Sequence, residues 1–225
     1  MNYSHVDSKG IPLEDKLDEL FNGKNGGFYI ELGANDGLTQ SNTAFFEFNR
    51  GWTGILIEPS KSAYDTCVLN RPNSICINGA CVSSDYSGNT VSGDFNGGLM
   101  SSVNGVRLGS SNVSISTPAY TLENILDNNK ITRQIDLLSL DTEGYELQIL
   151  RGLNLNKYKP QYMLIEIYTG QYQAIYDYLS GYGYRLHSNF TNYNRVDNPG
   201  WDGTHNDYLF MLDHNQIRLE EQGMA

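Results

Sequence analysis

The apolar positions of this chain recur in two rhythms. From Pro12 to Phe21, the residues Leu13, Leu17, Leu20 and Phe21 share one face of a helical period, which predicts an amphipathic helix. Phe28 to Leu32, entered through Gly26-Gly27, is short and nearly all apolar, which predicts a buried strand. Ser41 or Asn42 can cap a helix ending near Asn49, with Phe45, Phe46 and Phe48 as its aromatic face. Gly54 to Ile57 predicts a second strand, Ala63 to Asn70 a crossover helix, and Ser74 to Ser83 a third strand region. Further on, helices are expected at Leu122 to Asn128, Tyr145 to Leu150 and Gln173 to Leu179. Strands are expected at Asp136 to Leu140, Tyr162 to Ile167, Tyr184 to His187 and Tyr208 to Leu212.

This alternation predicts one α/β domain with a mostly parallel sheet and helices on both faces. The last two strands have no obvious helix between them, so an antiparallel edge pair is expected. Residues 1–25 read as an N-terminal helical extension. Residues 86–118, rich in Gly, Ser and Asn, read as an insertion of loop and short antiparallel strands.

Charge narrows the partners. The net charge is −11, from 26 acidic and 15 basic residues, and such a field repels phosphate backbones and anionic lipids. No segment has the length and apolarity of a membrane span. Met1 to Lys9 has no apolar core of a secretory signal, and the matches to glycosylation sequons at Asn2, Asn112 and Asn189 are read as chance. Cys67, Cys76 and Cys81 lack metal-ligand spacing and read as reduced thiols in a cytoplasmic protein.

The strongest chemical signal is Phe28-Tyr29-Ile30-Glu31-Leu32-Gly33-Ala34-Asn35-Asp36-Gly37. A buried strand runs into a turn bounded by glycines, where a ligand can lie against bare backbone. Glu31 near the strand end suits a ligand's cationic amino group. Glu58, closing the second strand, lies about twenty residues beyond the loop, the spacing at which a carboxylate meets ribose hydroxyls. Together they predict a nucleoside site built from Glu31, Gly33, Ala34, Asn35, Asp36, Gly37 and Glu58. The loop lacks the middle glycine of a dinucleotide fingerprint, and Glu31 and Asp36 would repel a pyrophosphate. A sulfonium nucleoside, S-adenosylmethionine, is therefore favoured over NAD.

These segments resemble the FkbM-type methyltransferases, S-adenosylmethionine-dependent enzymes of the Rossmann-like class. The resemblance is carried by Phe28 to Gly37, by Ile55 to Ser60, and by Ile135 to Glu146 with Ile149 to Leu153. It implies a class I methyltransferase fold, with a seven-stranded sheet and a reversed final hairpin. It also implies methyl transfer to an oxygen, often of a sugar or a small natural product.

Asp141, Glu143, Glu146 and Glu166 form a second acidic group, and Asp141 and Glu166 end neighbouring strands at the edge where ligands sit. Asp141 is expected to reach the cofactor as well. Glu146 has an alternative role as a first-turn acid complementing a helix dipole. An alcohol acceptor must lose its proton, to a base or under a bound cation. His205 is the first candidate base and His187 the second, while His5 and His214 near the termini are set aside. Asp141 and Glu166, helped by Glu143 or His205, can alternatively hold Mg²⁺, Ca²⁺ or Mn²⁺. Tyr168, Tyr172, Tyr176, Tyr193 and Trp201 offer a sugar platform or plain packing. The leading reading is an O-methyltransferase acting on a glycan or other small hydroxylated acceptor. The competing readings are a nicotinamide-dependent oxidoreductase and a non-catalytic nucleoside-binding module.

Overall fold

The computed structural model describes residues 2–95, 103 and 114–213. The chain opens with α1 (Leu13–Leu20), β1 (Phe28–Leu32), α2 (Ala44–Arg50), β2 (Thr53–Glu58), α3 (Lys61–Asn70) and β3 (Ile75–Asn78). Next come β4 (Ala80–Cys81), β5 (Thr90–Gly93), β6 (Ile115–Tyr120), α4 (Leu122–Asn128), β7 (Leu137–Leu140) and α5 (Glu146–Arg151). It closes with β8 (Tyr162–Tyr168), α6 (Tyr172–Ser180), β9 (Tyr184–Asn189) and β10 (His205–Leu212).

The main sheet has seven strands in the order β3-β2-β1-β7-β8-β10-β9. The chain builds β1, β2 and β3 outward, then crosses back to lay β7 on the other side of β1. That reversal opens a crevice at the carboxyl ends of β1 and β7. Of the final pair, β10 is antiparallel to both neighbours and β9 forms the edge. The reversed strand therefore lies one place inside the sheet.

Strand alternation divides the core. Phe28, Ile30, Leu32, Leu138, Leu140 and Ile165 pack on one face against Leu126 of α4, Leu150 of α5 and Ile175 of α6. Tyr29, Leu56, Leu137 and Leu164 pack on the other, against Leu17 of α1, Phe46 of α2 and Cys67 of α3. Both faces are covered, so the central strands carry almost no exposed position. The expected aromatic face of α2 holds for Phe46, but Phe48 is exposed, its ring 5.9 Å from that of Tyr3.

Within the expected insertion, β5 and β6 pair antiparallel and β4 adds to β6 as a small second sheet. Residues 96–102 and 104–113 of that insertion, with Asn112 of its sequon and His214, lie outside the described residues. No helix among the described residues is long and apolar enough to cross a membrane.

Candidate functional site

A cleft of about 740 Å³, part of it open to solvent, lies at the chain reversal. Its walls include Leu32 and Gly33 from the end of β1, Asn35, Ile57 and Glu58 from β2, and Asp141 to Glu143 after β7. Thr39, Gln40, Pro59, Cys81, Phe95, Tyr145 and Ile149 complete much of the lining.

Glu58 occupies the position its spacing predicts. It is buried, and its carboxylate accepts the amides of Asn35 and Ser60, each at 2.8 Å. Burial pushes its pKa up to about 7, against the pull of those two amides. It joins β2 to the glycine loop and faces the cleft.

The other loop expectations divide. Gly33 and Asn35 line the cleft, but Ala34, Asp36, Gly37 and Glu31 do not. The Glu31 carboxylate accepts the Ser41 hydroxyl, the Asn42 amide at 2.8 Å and the Thr43 hydroxyl at 2.6 Å, and lies 3.7 Å from the Arg71 guanidinium. The reason is strand periodicity: Glu31 alternates with the cleft-side residues and shares the face of Tyr29. Its work is to anchor the entry to α2, where Ser41 Oγ in turn accepts the Ala44 amide at 3.1 Å. Asp36 turns back onto its own loop, accepting the Leu38 and Thr39 amides at 2.9 and 2.7 Å.

The glycines answer to the protein itself. Gly33 has φ +78°, and a Cβ there would sit 1.9 Å from the carbonyl oxygen of Asp141. A Cβ on Gly37 would meet Arg71 Cγ at 2.7 Å and Cys67 Sγ at 3.0 Å. The close approach that requires glycine at these positions is to the Asp141 backbone and to α3 and its flanking Arg71.

Across the cleft, ligand atoms of Asp141, Glu143 and Glu166 all lie within 4.8 Å of one another. Glu143 takes a left-handed φ of +58°, rare for a side chain of its size, and accepts the Tyr168 hydroxyl at 2.6 Å. One oxygen of Glu146 gathers the Thr142 and Gly144 amides and the Thr142 hydroxyl at 3.0–3.1 Å. Glu146 thus shapes the Asp141–Gly144 turn and does not line the cleft. Burial, then the neighbouring Glu143, Asp207 and Glu146 charges, push the Asp141 carboxyl well above the usual carboxylate range. Burial and the Asp141 charge act the same way on Glu166.

His205 is the first residue of β10, and its Nε2 lies 3.3 Å from Glu166 Oε1. The Trp201 indole donates to the His205 carbonyl at 3.0 Å, which fixes the strand entry. His187, the second candidate base, is exposed on the edge strand β9 beside Ser188, apart from the acidic group. Of the aromatic candidates, Tyr168 reaches the site. Tyr172 and Tyr176 pack against the core, and Tyr193 reaches the Val6 carbonyl.

Two residues beside the acidic group were missed from the sequence, Asp207 unnoticed and His5 set aside. Asp207 pairs across strands with Glu166, and burial raises it to about 6. His5, set aside for its place near the terminus, lies close enough to Glu143 and His205 to feel their charges. The Ser8 amide donates to the Thr191 carbonyl and Leu13 N to the His5 carbonyl, at 2.8 and 2.9 Å. The His5 ring hydrogen-bonds Gln40; burial and the nearby His205 hold it below its ordinary pKa. Only the long-range contact between the first residues and the β9–β10 connection could have revealed this.

A family model described as the methyltransferase FkbM domain matches residues 31–186. No curated protein sequence matches the chain. Among solved structures, fibrillarin from Aeropyrum pernix with natively bound S-adenosyl-L-methionine aligns at TM-score 0.50 and 14% identity, over 88% of this chain and 74% of that one. A SAM-dependent methyltransferase from Geobacter sulfurreducens in complex with S-adenosyl-L-homocysteine aligns at TM-score 0.47 and 8% identity, over 94% and 93%. A TehB-like SAM-dependent methyltransferase from Corynebacterium glutamicum aligns at TM-score 0.47 and 9% identity, over 89% and 88%. At these identities the likeness is one of fold.

Proposed function

The chain belongs to the FkbM methyltransferase family, and from that premise we propose that it transfers the methyl group of S-adenosylmethionine to a hydroxyl of a sugar, a glycan or another small hydroxylated acceptor. The observation that carries this reading is one cleft with a carboxylate at each end and apolar wall between. Glu58 stands at one end, and Asp141 and Glu143 at the other.

The lining fits the cofactor. Glu58 offers a buried carboxylate to ribose hydroxyls, with Gly33 and Asn35 beside it. Ile57, Pro59, Cys81 and Ile149 provide apolar wall for a purine. Asp141 and Glu143 stand where a cationic ligand is favoured. Bound there, S-adenosylmethionine supplies an electrophilic methyl group on a good leaving group.

The chain's own residues position the acceptor and receive its proton. His205 is the first base, since Glu166 orients its imidazole and can stabilise the imidazolium. Asp141 is the alternative, its raised pKa making it a stronger base than an ordinary aspartate. A divalent cation in the acidic group would lessen the need for either. The acidic surroundings favour a neutral or cationic acceptor over a phosphorylated one, and the net charge of −11 argues against nucleic acid. The free thiols support a cytoplasmic setting.

Calorimetry with S-adenosylhomocysteine and NAD tests the cofactor. S-adenosylhomocysteine is expected to bind and NAD not to. Glu58→Ala should weaken S-adenosylhomocysteine by about 1–3 kcal/mol, the loss of a charge-assisted hydrogen bond. Preference for NAD would return the oxidoreductase reading. Cofactor binding without turnover over a panel of glycans and small polyols would favour a binding module.

A further inference from the structure

We propose that Asp141, Glu143 and Glu166 form a site for one divalent cation of the Mg²⁺, Mn²⁺ or Ca²⁺ class. The proposal deepens the methyl-transfer reading, on which it rests for its purpose but not for its detection.

The donor set is all carboxylate, the chemistry of hard cations. The three residues come from a turn and a strand on neighbouring elements, and their ligand atoms lie within 4.8 Å of one another. Ligands facing each other across a Ca²⁺-sized ion stand about 5 Å apart, twice the usual bond length. The spacing therefore admits a cation between them without rebuilding the backbone.

Clustered acids alone would be weak grounds. A second observation is independent of the spacing. Glu166 is 7% exposed and Glu146 is 0% exposed, and in each the Oε2 atom has no hydrogen-bond donor among the described residues. Buried carboxylate oxygens without donors are costly. The His205 imidazole meets Glu166 at Oε1, which leaves Oε2 to be satisfied otherwise. The mutual repulsion is relieved either by protons shared among the acids or by a cation.

The turn is built to present these oxygens. Glu143 holds a left-handed backbone, Glu146 ties the Thr142 and Gly144 amides, and the Tyr168 hydroxyl orients one Glu143 oxygen. Preorganisation of this kind is what a ligand set requires. A cation there would bind the acceptor hydroxyl and lower its pKa. The hydroxyl proton passes to His205 or to water. The oxygen–methyl bond then forms as the sulfur–methyl bond breaks, leaving a thioether and a methyl ether.

Titration of the whole protein with Mn²⁺, followed by electron paramagnetic resonance, tests the site without an acceptor. One Mn²⁺ should bind and be displaced by Mg²⁺ or Ca²⁺. Asp141→Asn and Glu166→Gln should each weaken it by about 10–100-fold. Asp65→Asn, which alters an exposed acid paired with Lys61 on α3, should leave it unchanged. Thermal melts of each variant establish that it folds. No binding, or binding that neither Asp141→Asn nor Glu166→Gln weakens, overturns the proposal and leaves shared protons as the explanation. Calorimetry with S-adenosylhomocysteine on the same samples keeps the two readings apart. Cofactor binding without Mn²⁺ binding sinks only the cation, while Mn²⁺ binding without cofactor binding sinks only the methyl-transfer reading.

Discussion

Nε2 of His205 lies 3.3 Å from Oε1 of Glu166, across the antiparallel strands β10 and β8. The register places Asp207 opposite Glu166, and His205, an alternate residue to Asp207, projects from the same face. An imidazole oriented by a carboxylate is suited to take a hydroxyl proton and hold it. With an acceptor identified by the panel, His205→Ala should lower kcat by about 10²–10⁴-fold. The affinity for S-adenosylhomocysteine should stay the same, because His205 does not line the cofactor end of the cleft. Full kcat in a folded His205→Ala protein would transfer the role of base to Asp141.

Glu58 predicts how stability and binding respond to pH. Burial raises its pKa from 4.5 to about 7 in the folded chain. Between those values the folded state holds a proton that the unfolded state has released, so stability falls as pH rises through this window. The effect is on the order of 1–3 kcal/mol, complete above the folded pKa and absent below the unfolded one. Asp7 and Asp36 have the opposite sign, with lowered values whose contribution is spent in more acidic solution. Urea midpoints of wild type and Glu58→Gln, compared at pH 5 and pH 8, isolate the share of Glu58: the variant should show the shallower decline. Ligand binding should run the other way. The ionised carboxylate accepts ribose hydroxyls better, so S-adenosylhomocysteine should bind more tightly at pH 8 than at pH 5 in wild type only.

Gly33→Ala separates two reasons for the same glycine. If the residue only clears space for a ligand, the variant keeps its stability and loses binding. The geometry predicts a loss of stability as well, because the Cβ would stand 1.9 Å from the Asp141 carbonyl oxygen with φ at +78°. A cost on the order of 2–4 kcal/mol is expected from strain and displaced backbone. Chemical denaturation measures it, and a variant as stable as wild type would show that the β1–β7 approach is not what demands glycine.

What the sequence made legible was what depends on near neighbours. The run Phe28–Leu32 and the helix Leu122–Asn128 were readable because continuous apolar strands and capped periodic helices are local signals. Glu58 was readable because a fixed span separates the ends of consecutive parallel strands. Glu31 looked like a ligand because a carboxylate near the end of β1 suits a cationic amino group, yet alternation turned it to the opposite face, where Arg71 waits from beyond α3. The Glu166–His205 contact depends on an antiparallel register between strands far apart in the chain. His5 reaches the site through a segment whose backbone bonds to Thr191. Neither periodicity nor spacing encodes such pairings.

Arg71 ties the glycine loop to the entry of α2, and it carried no sequence signal. It is 0% exposed. Its Nε donates to Glu47 at 2.7 Å, and its other nitrogens donate to the Tyr29 hydroxyl at 2.6 Å, the Gly37 carbonyl at 2.8 Å and the Thr43 hydroxyl at 2.9 Å. A planar fork satisfies all of these at once, which a lysine ammonium cannot do. Removing it leaves the buried Glu47 without its cation, held only by the Tyr29 and Ser74 hydroxyls and the Asn73 amide, and strips Glu31 of the guanidinium 3.7 Å away. Arg71→Met, close in shape and without charge, should therefore cost about 3–5 kcal/mol, the penalty of an unpaired buried charge. Glu47→Gln placed in the same chain should restore part of that loss, because the stranded charge is then gone. Urea denaturation of the single and double variants measures both. A double variant no more stable than Arg71→Met alone would mean that lost packing, not charge, is responsible. The same guanidinium holds the Gly37 carbonyl and the entry to α2. Arg71→Met should thus also weaken S-adenosylhomocysteine binding while Glu58, on the far side of the loop, is untouched.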